Sequence, residues 1–138
     1  MTTQDTQTSS QDERSRQIID AIKLYMKLGW SVIPLPVGEK VPAIKWAEWG
    51  TKAADGTQWT QWWRERPGCN VAVVYAGSAA PEGFQLVCVD TDSEEAEAWV
   101  MQQKPLPPTA RARTAKGYHR YYYAPADREH FAGADGLP

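Results

Sequence analysis

The segment FQLVCVDTDSEE, at residues 84–95, is the feature that most constrains the fold of this chain. Its first part is an apolar, β-branched run and predicts a buried strand from Phe84 to Asp90. Ser93 follows as the cap of a helix that runs to about Gln103, with glutamates in the first turn, where the helix dipole favours anions. The sequence therefore predicts a strand that passes almost directly into a helix, with two acidic residues at the junction.

The rest of the chain alternates between helical and strand patterns. Residues 1–13 are polar and have no apolar periodicity, which predicts a disordered tail followed by one domain at 14–138. The predicted elements are a helix at 14–28, a strand at 30–36, a helix capped by Thr57 that carries Trp59, Trp62 and Trp63, strands at 70–75 and 84–90, a helix at 93–103, and a hairpin of strands at 109–114 and 118–123. This order predicts an α/β (α+β) fold.

Composition excludes several classes of protein. Hydrophobic residues make up 42% of the 138 residues and charged residues 23%, so wholesale disorder is not expected. No apolar run approaches the roughly 20 residues that span a bilayer, and the N-terminus lacks the pattern of a signal peptide. Cys69 and Cys88 form no CxxC pair, so neither a disulfide nor a zinc site is predicted. We expect a cytoplasmic protein without a membrane partner.

The net charge of −2 means that contact with nucleic acid requires a local basic surface. Residues 110–126 supply one, because this stretch contains no acid. Its basic side chains are Arg111, Arg113, Lys116 and Arg120, together with His119.

Asp90 and Asp92 are the first candidate site residues. Side chains two apart on a strand share a face and lie roughly 6 to 7 Å apart along the backbone. A carboxylate pair of this kind suits divalent cations in nucleotidyl transfer. The structural alternative is that both aspartates only form a turn at the strand end and cap the next helix.

Two further segments carry candidate phosphate-binding groups. In TAKGYHRYYY, His119 follows Lys116 and a glycine, and an imidazole can donate a hydrogen bond to a triphosphate oxygen. In GEKVPAIKW, Lys40 and Lys45 lie in a loop stiffened by proline and closed by Trp46. The alternatives are a structural histidine and a solvated loop with a tryptophan plug.

In this order, the segments resemble one family. The blocks GWSVIPLP, GEKVPAIKW, QWWRERPGCNVAVV, VCVDTDS, KPLPPTARART and AKGYHRYYY, between about residues 15 and 125, are similar to the N-terminal domain of bifunctional DNA primase/polymerases of the archaeo-eukaryotic primase superfamily. The resemblance implies a small αβ unit packed on an RNA-recognition-motif-like sheet. It also implies template-directed, two-metal nucleotidyl transfer in the replication of a plasmid, phage or other mobile element.

The resemblance assigns roles to the candidate residues. Asp90 and Asp92 would hold Mg²⁺ or Mn²⁺, and His119 would contact the nucleotide phosphates. Arg113 is expected to meet the nucleotide or the template, and the alternative is an ordinary surface residue of the strand. Lys40, Lys45 and Lys116 complete the expected substrate-binding set. The expected partners are single-stranded or primed DNA, ribo- or deoxyribonucleoside triphosphates, and a replicative helicase.

The sequence departs from the family pattern in its last motif, an acid in a DxRG-like stretch. Asp127, Glu129 and Asp135 are the acids that follow His119, and none stands in that context. We expect a domain without its third carboxylate and last strand, and therefore weak or absent synthesis. The main alternative is a catalytically inactive module of the same fold that binds nucleic acid or nucleotide. A phosphohydrolase is disfavoured, because Asp92 is followed by Ser93 and Glu94 rather than by a DxDxT pattern.

Overall fold

A computed structural model of the protein describes residues 3–42, 44–103, 106–114 and 116–127. The chain divides into two compact units, residues 1–79 and 80–138, which are called here the N-terminal and C-terminal units. Helices and strands follow the predicted order, and each unit contains a small antiparallel sheet, so the α+β fold class is confirmed. The RNA-recognition-motif-like arrangement stays a prediction. The end of the predicted domain, including Glu129 and Asp135, lies outside the described residues.

The described residues of the N-terminal unit form two helices, two strands and two short 3-10 helices. Its elements are α1 (Thr3–Lys27), β1 (Ser31–Leu35), a 3-10 helix (Ala47–Gly50), α2 (Gly56–Glu65), β2 (Asn70–Val74) and a second 3-10 helix (Tyr75–Gly77). Strands β1 and β2 pair antiparallel, from Ser31 opposite Val74 to Leu35 opposite Asn70.

Helix α1 begins at Thr3, so the described part of the segment predicted as a disordered tail is helical. Residues 3–13 contain neither glycine nor proline. The helix predicted from residue 14 can therefore extend towards the N-terminus without interruption. The C-terminal end of α1 follows the prediction. Gly29 adopts a φ of +78°, and the Trp30 backbone N–H donates to the Tyr25 carbonyl at 2.9 Å, which closes the helix with a Schellman turn.

Tryptophan side chains form much of the core of the N-terminal unit. Trp62 packs edge to face against both Trp49 and Trp59, with ring centroids 5.2 and 5.3 Å apart. The indole N–H of Trp59 donates to the Val32 carbonyl of β1 at 3.0 Å, so the buried polar atom is satisfied. These three tryptophans and Trp30 are all buried.

The cap of α2 differs from the prediction. The Asp55 carboxylate, not the Thr57 hydroxyl, accepts from a backbone N–H of the first turn, that of Gln58, at 2.8 Å. Both residue types cap helices, and aspartate ranks above threonine, so the sequence pattern alone placed the helix start two residues late.

The described residues of the C-terminal unit form a three-stranded antiparallel sheet and one helix. Its elements are β3 (Phe84–Thr91), α3 (Glu94–Gln103), β4 (Arg111–Arg113) and β5 (Tyr118–Pro125), and the strand order is β3-β5-β4. The predicted cap of α3 is confirmed, because the Ser93 hydroxyl accepts from the Ala96 N–H at 3.0 Å. The predicted β4–β5 hairpin is also present.

Neither cysteine takes part in a disulfide. Cys69 is buried, and burial raises the pKa of its thiol, whereas Cys88 is partly exposed on β3. Within the described ranges, no helix has both the length and the apolar character that crossing a bilayer requires.

Candidate functional site

The β3–β5 ladder brings Asp90 and His119 together. The two residues lie directly opposite each other in the antiparallel register, so their side chains share one face of the sheet. Asp90 Oδ1 lies 3.3 Å from His119 Nε2. Their side chains are 57% and 36% exposed, respectively, so both groups are open to solvent. The pair can therefore meet a solute that approaches this face of the sheet.

Asp92 lies just beyond the end of the ladder. The last β3–β5 pair is Thr91 opposite Tyr118, and helix α3 begins two residues after Asp92. The residues alternate in exposure, since Asp90 and Asp92 are exposed and Thr91 between them is 2% exposed. The backbone thus presents one carboxylate on each side of Thr91, a buried residue that is called here the anchor.

The hairpin turn between β4 and β5 packs against that anchor. The Thr114 N–H donates to the Gly117 carbonyl at 2.9 Å, and the Gly117 N–H donates back to the Thr114 hydroxyl at 2.9 Å. A Cβ added to Gly117 would lie 1.7 Å from the Thr91 carbonyl oxygen. The absence of a side chain at Gly117 therefore allows the backbone of Thr91 to approach the turn closely.

A polar network holds the other side of Thr91. Its hydroxyl donates to Glu97 Oε2 of α3 at 2.6 Å. The Arg120 guanidinium binds both oxygens of the same carboxylate, with Nη1 2.9 Å from Oε2 and Nη2 bonded to Oε1. The pKa of Glu97 is lowered from 4.5 to about 2, mainly by the hydrogen bond from Arg120 and secondly by the hydrogen bond from Thr91. Glu97 is therefore ionised at neutral pH and bonded on both oxygens.

Sequence reasoning missed Glu97. A detectable signal existed, because strand alternation put Arg120 on the face opposite His119, and a buried arginine requires an acidic partner. The acid-free stretch around Arg120 could not supply that partner, whereas the glutamate-rich helix α3 could. In the observed register Arg120 lies on the face opposite His119, and its side chain is 6% exposed.

The remaining basic residues of the stretch lie on the Arg120 side of the sheet. Ala112 is the β4 residue opposite His119, so Arg113 pairs with Tyr118 and belongs to the other face. Arg113 and Lys116 line a cavity of about 330 Å³ together with residues at the start of α3. The Arg111 guanidinium lies 4.3 Å from the centroid of the Tyr118 ring, which is within cation–π range. Arg113 and Lys116 are therefore not part of the Asp90–His119 pair.

Lys40 and Lys45 lie in the loop that follows β1 in the N-terminal unit, and both are exposed. Trp46, which ends this loop, is 51% exposed, so it does not plug the core as the structural alternative supposed.

Residues 22–137 match the family described as the N-terminal domain of bifunctional DNA primase/polymerases. The chain belongs to this family. The match covers the DxD segment, the histidine strand and the lysine loop, which are the segments that carried the resemblance. No curated protein and no solved structure shows significant similarity to the chain.

Membership in this primase/polymerase family implies DNA and nucleotide binding and metal-dependent nucleotidyl transfer in general. The donor chemistry of this chain fits a hard divalent cation, because Asp90 and Asp92 offer exposed carboxylate oxygens, and Mg²⁺ is often held by one or two carboxylates plus substrate phosphates. Within the part of the chain that the structure describes, no group of three histidine, cysteine or acidic side chains is arranged to hold a metal.

Proposed function

We propose that this domain performs template-directed nucleotidyl transfer as a DNA primase/polymerase, with Asp90 and Asp92 as metal ligands. The observation that carries the proposal is the direct pairing of Asp90 with His119 on an open sheet face, 3.3 Å apart, with Asp92 two residues further along the chain, just past the last pair of the ladder. The Asp90 carboxylate, a group that can bind a metal, therefore lies beside the His119 imidazole, a group that can donate a hydrogen bond to a phosphate.

Each residue has a distinct role in this proposal. A bound Mg²⁺ or Mn²⁺ would supply positive charge for the triphosphate and activate the attacking hydroxyl. Asp90 and Asp92 hold the cation through carboxylate oxygens. His119 Nε2 lies against Asp90. Once Asp90 held the cation, the N–H of that nitrogen would be available to donate to a phosphate oxygen of the incoming nucleotide. Both side chains are partly exposed on this face of the sheet, which leaves room for that nucleotide.

DNA contact falls to the basic residues of both units. Lys40 and Lys45 bind backbone phosphates from the loop after β1, and the exposed indole of Trp46 stacks on an unpaired base. Arg113 and Lys116 add phosphate contacts on their own face of the sheet. Each neutralised phosphate contributes roughly 0.7 to 0.9 to the slope of log affinity against log salt, so binding should weaken moderately with salt.

The biological setting that we propose follows from the family. Such a domain would copy plasmid, phage or other mobile-element DNA in the cytoplasm from ribo- or deoxyribonucleoside triphosphates, with a replicative helicase in the same system. A second candidate is an inactive module that binds DNA or nucleotide without synthesis. It is favoured by the small acidic donor set of the described residues, in which Asp127 joins no three-residue cluster.

A primer-extension assay with Mg²⁺ or Mn²⁺ tests the proposal, with single-stranded DNA binding measured in parallel. We expect slow, metal-dependent synthesis, since few carboxylates leave the cation poorly coordinated. The double variant Asp90→Asn, Asp92→Asn should abolish synthesis and retain DNA binding. Asp20→Asn, which changes an exposed acid on α1, is the matched control and should behave as wild type.

The assay separates the two candidates. DNA binding without synthesis by the wild-type chain would favour the inactive module. Synthesis that survives the double variant would remove Asp90 and Asp92 from the site. A chain that neither binds nor extends a primer would contradict both candidates.

A further inference from the structure

The two candidate metal ligands are held in place by different means. Asp90 lies within the β3–β5 ladder, where backbone pairing with His119 fixes its position. Asp92 follows the last ladder pair, so among the residues that the structure describes no strand partner fixes its backbone. The distance between the two carboxylates therefore depends on whatever holds the peptide that joins Thr91 to Asp92.

Thr91 is the only residue between these two aspartates, and it is anchored on several sides. Its hydroxyl donates to Glu97 at 2.6 Å and lies 3.5 Å from the Tyr118 carbonyl. Its carbonyl oxygen abuts Gly117, where even one added carbon would not fit. Glu97 in turn is clamped by both terminal nitrogens of Arg120. The anchor is consequently held by a chain of bonds from the β5 strand through helix α3 to the centre of the DxD motif.

The properties of this network indicate positioning rather than simple packing. Thr91 and Arg120 are 2% and 6% exposed, so their polar groups have given up water and depend on their protein partners. A bidentate arginine–carboxylate pair has a fixed planar geometry, which restricts the orientation of Glu97 and therefore of the hydroxyl that it accepts. Substitution of residues that orient metal ligands without binding the metal themselves commonly changes metal affinity.

We propose that Thr91, Glu97 and Arg120 are positioning residues that set the separation of the Asp90 and Asp92 carboxylates for cation binding. The inference rests on the proposed function, because it takes those aspartates as the metal ligands. It predicts that the network acts mainly through Asp92, the ligand that the ladder does not hold.

A direct measurement of Mn²⁺ binding tests this inference without reference to activity. The electron paramagnetic resonance signal of the free ion reports how much Mn²⁺ is unbound. Thr91→Val keeps the shape of the side chain and removes its hydroxyl. Thr91→Ser restores a hydroxyl, and Glu97→Gln removes the charge that clamps Arg120. Glu95→Gln, on an exposed position of α3 outside the network, is the matched control. Circular dichroism and thermal unfolding show which variants are folded.

We expect Thr91→Val and Glu97→Gln to weaken Mn²⁺ binding about tenfold while the chain stays folded. Thr91→Ser and Glu95→Gln should bind as wild type. Asp92→Asn combined with Thr91→Val should bind no more weakly than Asp92→Asn alone, because both changes act on the same ligand.

Several results would overturn the inference. Folded Thr91→Val and Glu97→Gln variants with wild-type affinity would show that the network does not position the ligands. Unfolding of both variants, or a Thr91→Ser variant as weak as Thr91→Val, would show that the residues only maintain the fold. If wild type binds no Mn²⁺, or the Asp90→Asn, Asp92→Asn variant binds equally well, the proposed metal site itself is wrong, which is a different failure.

Discussion

In the N-terminal unit the buried centre is aromatic, with Trp49, Trp59 and Trp62 packed edge to face. In the C-terminal unit, Thr91 and Arg120 are as deeply buried, but they are polar and are bonded to Glu97. Apolar burial tolerates small shifts, whereas a hydrogen-bonded ion pair holds only over a narrow range of distance and angle. The unit that carries the candidate metal ligands is thus the one whose interior is geometrically demanding.

Trp62→Ala should produce the largest loss of stability in the chain. The side chain is 5% exposed and touches both other rings of the tryptophan cluster, so its removal leaves a large cavity. Loss of a buried tryptophan costs about 3–5 kcal/mol of the free energy of unfolding. Urea denaturation measures the loss. Trp46→Ala, at an exposed position, is the control, and equal effects of the two changes would contradict the aromatic-core description.

Gly117→Ala probes the close contact behind the DxD motif in the C-terminal unit. The added methyl group would lie 1.7 Å from the Thr91 carbonyl oxygen, so the turn or the end of β3 has to move. Overpacking of this kind costs about 1–3 kcal/mol. Gly50→Ala meets open space and should leave stability unchanged. A Gly117→Ala variant as stable as wild type would show that the hairpin turn is free to shift.

The apolar framework of this fold could be predicted from sequence, because it follows from periodicity. The β3 run, the hairpin around Gly117 and the Schellman turn at Gly29 all obey local patterns, and the structure contains each of them. The pairing of Asp90 with His119 depends on the register of the β3–β5 ladder, which local sequence patterns do not give. The metal-binding and phosphate-binding roles of these residues stay predictions.

The polar network could not be predicted in the same way. Glu97 and Arg120 are 23 residues apart in sequence, and no local pattern joins a helix glutamate to a strand arginine. Arg113 shows the same limit, because which face it occupies depends on whether it or Ala112 lies opposite His119. A shift of one residue in register would reverse that choice. Long-range pairing therefore determined the part of the site that sequence patterns left open.

Glu97→Gln should cost less than either core change and should alter the pH dependence of stability. Glutamine retains one acceptor oxygen but loses the charge that pairs with Arg120, which costs about 1–2 kcal/mol at pH 7. In wild type the pKa of Glu97 is lowered from 4.5 to about 2 in the folded chain, so the unfolded state binds more protons between these values. Its contribution to stability is therefore complete above about pH 4.5 and disappears as the pH falls towards 2.

Urea denaturation of wild type and Glu97→Gln at a series of pH values measures this contribution. The difference in unfolding free energy between the two proteins should shrink as the pH falls from 4.5 to about 2. Glu95→Gln, on an exposed position of the same helix, should give a curve parallel to that of wild type. A constant difference between wild type and Glu97→Gln across this range would show that the ion pair does not lower the pKa of Glu97.

Trp46→Ala should have the smallest effect on stability and a modest effect on DNA affinity. It therefore tests whether the exposed tryptophan of the N-terminal unit has a different role from the buried ones. Its ring is 51% exposed, whereas Trp49, Trp59 and Trp62 are each at most 8% exposed, so removing it leaves no cavity. A surface tryptophan beside Lys45 offers a stacking face next to a positive charge, and stacking on one base contributes about 1–3 kcal/mol by alanine substitution. We expect single-stranded DNA to bind about fivefold to tenfold more weakly, which corresponds to the low end of this range of stacking energies, because one exposed ring is only partly desolvated.

Fluorescence anisotropy of a labelled oligothymidylate measures the change in DNA affinity. Trp46→Phe should recover most of the affinity, and Trp99→Ala, which removes a 39% exposed ring from α3, should bind as wild type. Equal losses for Trp46→Ala and Trp99→Ala would indicate a general effect of surface aromatic residues, and unchanged affinity for Trp46→Ala would remove the loop after β1 from the DNA-binding surface.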